Sequence, residues 1–88
     1  LQLWSVYVPA SLAPDEAVRQ TFEQIEIARS FALRHPDRFA NVTTADEAMR
    51  VWKSGRLPGI LALEGAHQIA DDVTILRRAH AAGVRSMT

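Results

Sequence analysis

The residues best equipped for chemistry lie in one run, Gly59-Ile60-Leu61-Ala62-Leu63-Glu64-Gly65-Ala66-His67. An apolar stretch ends abruptly in a carboxylate and a glycine, with an imidazole two residues after the glycine. A short apolar run of this kind fits a strand covered on both faces of a parallel sheet. In such sheets ligands sit outside the carboxyl ends of the strands, where Glu64 emerges. A carboxylate on a rigid strand end suits a divalent ion, and its two oxygens can bridge a pair of ions a few ångströms apart. One glutamate and one nearby histidine do not make a metal site. The plain structural alternative is a solvated strand end, since glutamate is almost never fully buried without a partner.

The elements that must position this run can be read on either side of it. Leu3-Trp4-Ser5-Val6-Tyr7-Val8 is β-branched and aromatic, and Pro9 closes it, so a strand is predicted there. Parity puts Trp4, Val6 and Val8 on a face that packs under helices, and Leu3, Ser5 and Tyr7 on the more polar face. A long helix starts near Pro14, a residue suited to the first helical position, with Asp15 and Glu16 in its first turn. Val18, Phe22, Ile25, Ala28 and Ala32 form its apolar stripe, and His35-Pro36 ends it. Phe39 to Val42 reads as a short extended link.

Thr44-Ala45-Asp46-Glu47 has the form of a capping box, with Thr44 accepting from helix amides and Glu47 reaching back. That helix runs to Ser54, and Gly55 is its left-handed terminator. Leu57 to Glu64 is the chemistry-bearing strand, on which Ile60, Ala62 and Glu64 share the interior or cleft face opposite Leu61 and Leu63. Gly65 allows a sharp turn under a ligand. A further helix is expected from about Asp71 to Ala82, with Val73, Leu76, Arg77 and His80 around one side. Gly83 ends it, and Val84 to Thr88 starts another strand. Strands joined by helical crossovers imply parallel pairing and right-handed units.

Composition narrows the class without naming a function. Ten basic and ten acidic residues balance, so no electrostatic footprint for nucleic acid or an anionic membrane is present. Cysteine is absent, which excludes disulfides and thiolate sites here. No apolar run approaches the ~20 residues of a membrane span, and no secretory signal is read, so composition gives only a soluble globular α/β piece. Eighty-eight residues suit one small domain, yet the chain opens and closes inside strand-like stretches. It therefore reads as an excerpt, residues 1–88 being part of a larger domain.

Several segments taken together carry a family resemblance. Leu3 to Pro9, Ala17 to Ile25, Leu63-Glu64-Gly65-Ala66-His67, Leu76-Arg77 and Gly83 to Thr88 occur in an order and spacing similar to those of the membrane dipeptidase (renal dipeptidase) family of zinc peptidases. The motifs are individually short and jointly specific, and they span essentially the whole chain. The resemblance implies an α/β fold that is a fragment of a (β/α)8 barrel, covering about strands two to four of a domain that typically needs ~250 residues. It implies a hydrolase with two zinc ions, cleaving dipeptides by attack of a metal-bound hydroxide on the scissile carbonyl. By the same resemblance Glu64 matches the glutamate that bridges the two metals. A His-x-Asp ligand pair is then expected before Leu1, and further histidine ligands after Thr88, so the isolated segment should be inactive. The implied partner is a dipeptide, without nucleic acid, and the assembly can be a homodimer. Ala66 stands where the family often has a second glycine, which touches only local loop geometry.

Two other residues stand close enough to matter. His67 is assigned a supporting role behind Glu64 in preference to direct ligation. Tyr7 shares the carboxyl end with Glu64, so it either lines the substrate cleft or packs as a strand-end tyrosine. His35 and His80 are read as surface or packing residues, Trp4 and Trp52 as core, and Arg77-Arg78 as a solvated helix face. A non-catalytic barrel relative used for binding or assembly is the competing class, and a binuclear metal amidohydrolase acting on other amides is a further one. The flanking ligands separate the first pair: the dipeptidase requires the upstream His-x-Asp and two well-separated downstream histidines.

Overall fold

One strand sits at the centre of the sheet, and its composition explains why. A computed structural model describes all 88 residues, Leu1 to Thr88. Strand β3 (Leu57–Leu63) pairs along both edges and is buried at Leu61 and Leu63 on one face and at Ala62 on the other. Strand β1 (Gln2–Val6) lies parallel along one edge, with Gln2 opposite Gly59 and Val6 opposite Leu63. The other edge is shared end to end. β2 (Phe39–Asn41) pairs in parallel with Leu57 to Gly59, and β4 (Val84–Met87) pairs in parallel with Leu61 to Leu63. The register between β3 and β4 shifts at Leu61/Ala62.

The segment read as a link is thus a fourth strand. At three residues it is too short to show an alternation, and only its pairing with Leu57 to Gly59 defines it. Asn41, at its end, carries the one buried side-chain acceptor without a hydrogen-bond partner, Oδ1.

Parity on β1 and β3 holds as expected. Val6, Leu61 and Leu63 join Ile25, Ala79 and Val84 in the core cluster, with Trp4, Phe22 and Ala28 packed against it. Each fully buried Leu or Ile contributes roughly 1.5–3 kcal/mol relative to exposure, so this side of the sheet holds on the helices that carry Ile25 and Ala79. Leu3, Tyr7 and Glu64 stand exposed on the opposite face.

Helix α1 (Pro14–Arg34) begins with proline in its first turn, carries Asp15 and Glu16 there, and ends at His35. Its buried positions are Ala17, Thr21, Ile25 and Ala32, so the stripe is rotated slightly from the predicted one and includes a hydroxyl. Arg19 pairs with Glu16 and Glu23 on the exposed side. The Arg19 guanidinium holds the Glu16 carboxyl down at about 2. Such solvated pairs add little stability.

Helix α2 (Ala45–Lys53) is capped as predicted by Thr44, whose hydroxyl accepts from the Glu47 N–H at 3.1 Å. Glu47 reaches back one residue further than the usual box, to the Thr43 N–H at 2.8 Å. Gly55 and Gly83 both take positive φ after their helices, as expected of terminators.

Helix α3 (Val73–Ala81) is shorter than expected at its start. A single 3₁₀ turn, Ala66–Ile69, and two left-handed residues, Ala70 and Asp71, occupy the preceding loop. Asp72 then caps the helix, accepting from the Thr74 N–H at 2.8 Å. Its inward residues are Ala79 and Ala82; Val73, Leu76, Arg77 and His80 are exposed, Arg77 and His80 as expected. Two smaller expectations also change. Trp52 is 59% exposed and belongs to no core, whereas Trp4 packs edge-on to Phe39 and tilted on Phe31. Arg78 lies 3.8 Å over the Phe22 ring, tying α3 to α1. No helix is long and apolar enough to cross a membrane.

Candidate functional site

The carboxyl ends of β1 and β3 carry the candidate residues side by side. Val6 pairs with Leu63, and the ladder continues one step through the Glu64 N–H, which donates to the Val6 carbonyl at 2.9 Å. The same register sets Tyr7 beside Glu64. Val6 and Leu63 point into the core, so the next residue on each strand points to the opposite face. Both Tyr7 and Glu64 are exposed there, Tyr7 by 54%.

Beyond Glu64 the chain turns sharply. Gly65 adopts φ +113°, and its N–H donates to the Thr88 carbonyl at 2.8 Å. The turn folds the His67 ring back toward β1, where Nε2 lies 2.7 Å from the Val8 carbonyl. A carbonyl can only accept, so Nε2 carries the proton and is committed to the backbone. The His67 and Tyr7 rings meet edge to face at 6.2 Å between centroids.

Three residues that the sequence reading passed over complete the arrangement. Gln24 on α1 brackets the Tyr7 backbone, accepting from its N–H at 3.2 Å and donating to its carbonyl at 2.7 Å. Gln68, fully buried, donates to the Val6 carbonyl at 2.9 Å. Thr21 meets the Gln68 Oε1 at 2.9 Å from its own buried place on α1. Gln24, His67 and Gln68 thus hold three successive residues at the exit of β1. One signal was available: Ala17, Thr21 and Ile25 fall at helical spacing, and a hydroxyl inside that stripe asks for a partner.

The electrostatics are simple. The three ion pairs of the chain all lie along α1, and none involves Glu64. Its side chain accepts no hydrogen bond from the chain and stands free to take a cation. No group of three or more histidine, aspartate or glutamate side chains converges within these 88 residues. Glu64 can therefore supply one ligand, and a complete centre would need donors from outside the segment. The His35 ring lies tilted against Phe31, 4.8 Å between centroids, and His80 is exposed on α3, so both are packing or surface residues.

A parallel α/β segment with a free carboxylate at a strand end, braced by the buried Gln68 amide behind it, defines a class of site seen at the carboxyl faces of parallel sheets. Comparison with known proteins makes the class particular. The chain belongs to the membrane dipeptidase family, peptidase family M19, whose model matches residues 1–88. Dipeptidase ataJ of Aspergillus terreus is 35% identical over 99% of this chain and 23% of its own length. Dipeptidase verJ of Clonostachys rogersoniana is 34% identical over 97% of the chain and 24% of its own length. Dipeptidase tcpJ of Claviceps purpurea is 31% identical, again over 97% of the chain and 22% of its own length. The chain spans about a quarter of the length of these curated relatives.

Proposed function

We propose that the protein carrying this segment is a zinc-dependent dipeptidase on a (β/α)8 barrel, with Glu64 bridging two metal ions. One observation carries the reading: Glu64 stands exposed and unpartnered at the carboxyl end of a central parallel strand, in a chain of the dipeptidase family. The parallel β1–β3–β4 arrangement, with α1 and α3 packed on the Leu61 and Leu63 face, suits an arc of such a barrel. The opposite face, which carries Ala62 and Glu64, would then be the interior.

The residues present fit their share of a binuclear centre. Glu64 would hold the pair with its two oxygens, and the remaining ligands would come from outside residues 1–88. When bound, such ions supply a nucleophile at neutral pH and polarise the scissile carbonyl. The chain's own residues do the positioning. Tyr7, beside Glu64, would line the dipeptide cleft and offer its hydroxyl to a polar group of the substrate. His67, committed to the Val8 carbonyl, would support the strand exit and leave ligation to Glu64.

The test is hydrolysis of a dipeptide panel by the full-length protein before chelation, after it, and after zinc is restored. Activity should be lost on chelation and return with zinc, and residues 1–88 alone should show none. Undiminished hydrolysis by the metal-free protein would overturn the reading.

A further inference from the structure

We propose that Gln68, held by Thr21, is a positioning residue for the Glu64 carboxylate, a role that rests on the dipeptidase reading above. Gln68 lies on the 3₁₀ turn after β3 and is fully buried. Burying an amide is costly unless its groups are bonded, so its bonds show what the position serves. The Nε2 group donates to the Val6 carbonyl at 2.9 Å. That contact fixes the amide orientation, because a carbonyl cannot donate, and it leaves Oε1 facing the Thr21 hydroxyl at 2.9 Å.

The Val6 oxygen also accepts the Glu64 N–H at 2.9 Å. One carbonyl therefore ties together the exit of β1, the backbone of Glu64 and the loop that follows it. Gln24 and His67 bind the strand further on, at Tyr7 and Val8, so of the three bracing side chains Gln68 alone shares an acceptor with Glu64. Thr21 anchors the amide to the middle of α1, and its hydroxyl also lies 2.7 Å from the Ala17 carbonyl. Through this chain α1 sets where the carboxylate stands relative to Tyr7.

The connection can be cut without opening a defect. In Gln68→Leu the Val6 carbonyl keeps the Glu64 N–H, and the Thr21 hydroxyl keeps the Ala17 carbonyl, so no buried group is orphaned. A residue that merely filled the core would be replaced by leucine with little consequence. A residue that positions the carboxylate would not.

The experiment compares full-length wild type, Gln68→Leu, Thr21→Val and the double variant. Melting temperature is measured metal-free, cobalt affinity and absorption spectrum are measured by titration, and kcat and KM are measured with zinc. Gln68→Leu should melt within a few degrees of wild type, bind cobalt roughly 10-fold more weakly with an altered spectrum, and lose kcat about 10-fold at nearly constant KM. Thr21→Val should act in the same direction, and the double variant should be no worse than Gln68→Leu, because the two residues act as one unit. An active wild type beside a Gln68→Leu protein with unchanged cobalt affinity and kcat overturns this proposal alone. So does a loss of activity fully explained by a lower melting temperature. A wild type that neither binds metal nor cleaves dipeptides overturns the dipeptidase reading and this proposal with it.

Discussion

Gly65 and His67 compete for one volume. A Cβ on Gly65 would stand 2.4 Å from Cε1 and 2.5 Å from Nδ1 of the His67 ring. The glycine also holds φ +113°, a conformation that residues with side chains rarely adopt. The imidazole reaches the Val8 carbonyl only because nothing projects from position 65. A glycine directly after Glu64 is therefore required by sterics and by backbone geometry at once.

Gly65→Ala should accordingly destabilise the full-length protein in two separable ways. The backbone strain costs on the order of 1–3 kcal/mol, and displacement of the ring adds the loss of its bond to Val8. Adding His67→Ala removes the collision and leaves the strain. The double variant should then be less destabilised than the sum of the two single variants, read from urea unfolding of all four proteins. Strict additivity would show that the ring does not lie against position 65.

The cap of α2 makes a prediction about acid. The Thr43 N–H, donating to the Glu47 carboxylate, holds that carboxyl below its ordinary value. A carboxyl whose folded value is depressed stabilises the fold above its unfolded value, about 4.3, and loses that contribution as pH falls through the lower folded value. Glu47→Gln cannot titrate. The advantage of wild type over Glu47→Gln should be constant above about pH 5 and should shrink steadily below it, as followed by unfolding midpoints between pH 7 and 2. Thr44→Ala, by contrast, should cost about 1 kcal/mol with little dependence on pH, because a hydroxyl cap carries no charge. A pH-independent gap between wild type and Glu47→Gln would remove the ionised contact.

The sequence makes some of this legible and hides the rest for physical reasons. Alternation on β1 separates Val6 from Tyr7 because a strand's period is two, and the same rule separates Leu63 from Glu64. Capping residues and terminal glycines mark α2 because their signals are local. β2 is hidden because three residues show no period, and its identity lies in its pairing with Leu57 to Gly59. The inward side of α3 gives no signal because Ala79 and Ala82, its packing residues, are small, while the large Val73 and Leu76 are exposed. Gln68 is hidden for another reason. A glutamine after a turn resembles any solvated loop residue, and its burial depends on Thr21, 47 positions earlier in the chain. Glu64 is the opposite case, since nothing in folding alone demands a carboxylate at the close of an apolar strand, and that draws attention to function.

The same residue yields the most direct test of the site. Glu64 is exposed and its side chain bonds to nothing in the chain, so Glu64→Gln should change the stability of the metal-free, full-length protein by no more than about 0.5 kcal/mol. The amide keeps the size and shape of the carboxylate. It removes the negative charge that would offset two dications, and it bridges poorly because its nitrogen offers no lone pair to a second ion. Metal content should therefore fall at both positions together, and turnover should fall by at least about 100-fold. If Glu64 were only a solvated strand end, metal content and turnover would stay at wild-type levels. If it stabilised the fold through a pair formed in the complete protein, the metal-free melting temperature would drop before turnover did. Metal content, melting temperature and turnover from one preparation separate these three outcomes. Near-native turnover with two ions still bound would take Glu64 out of the site.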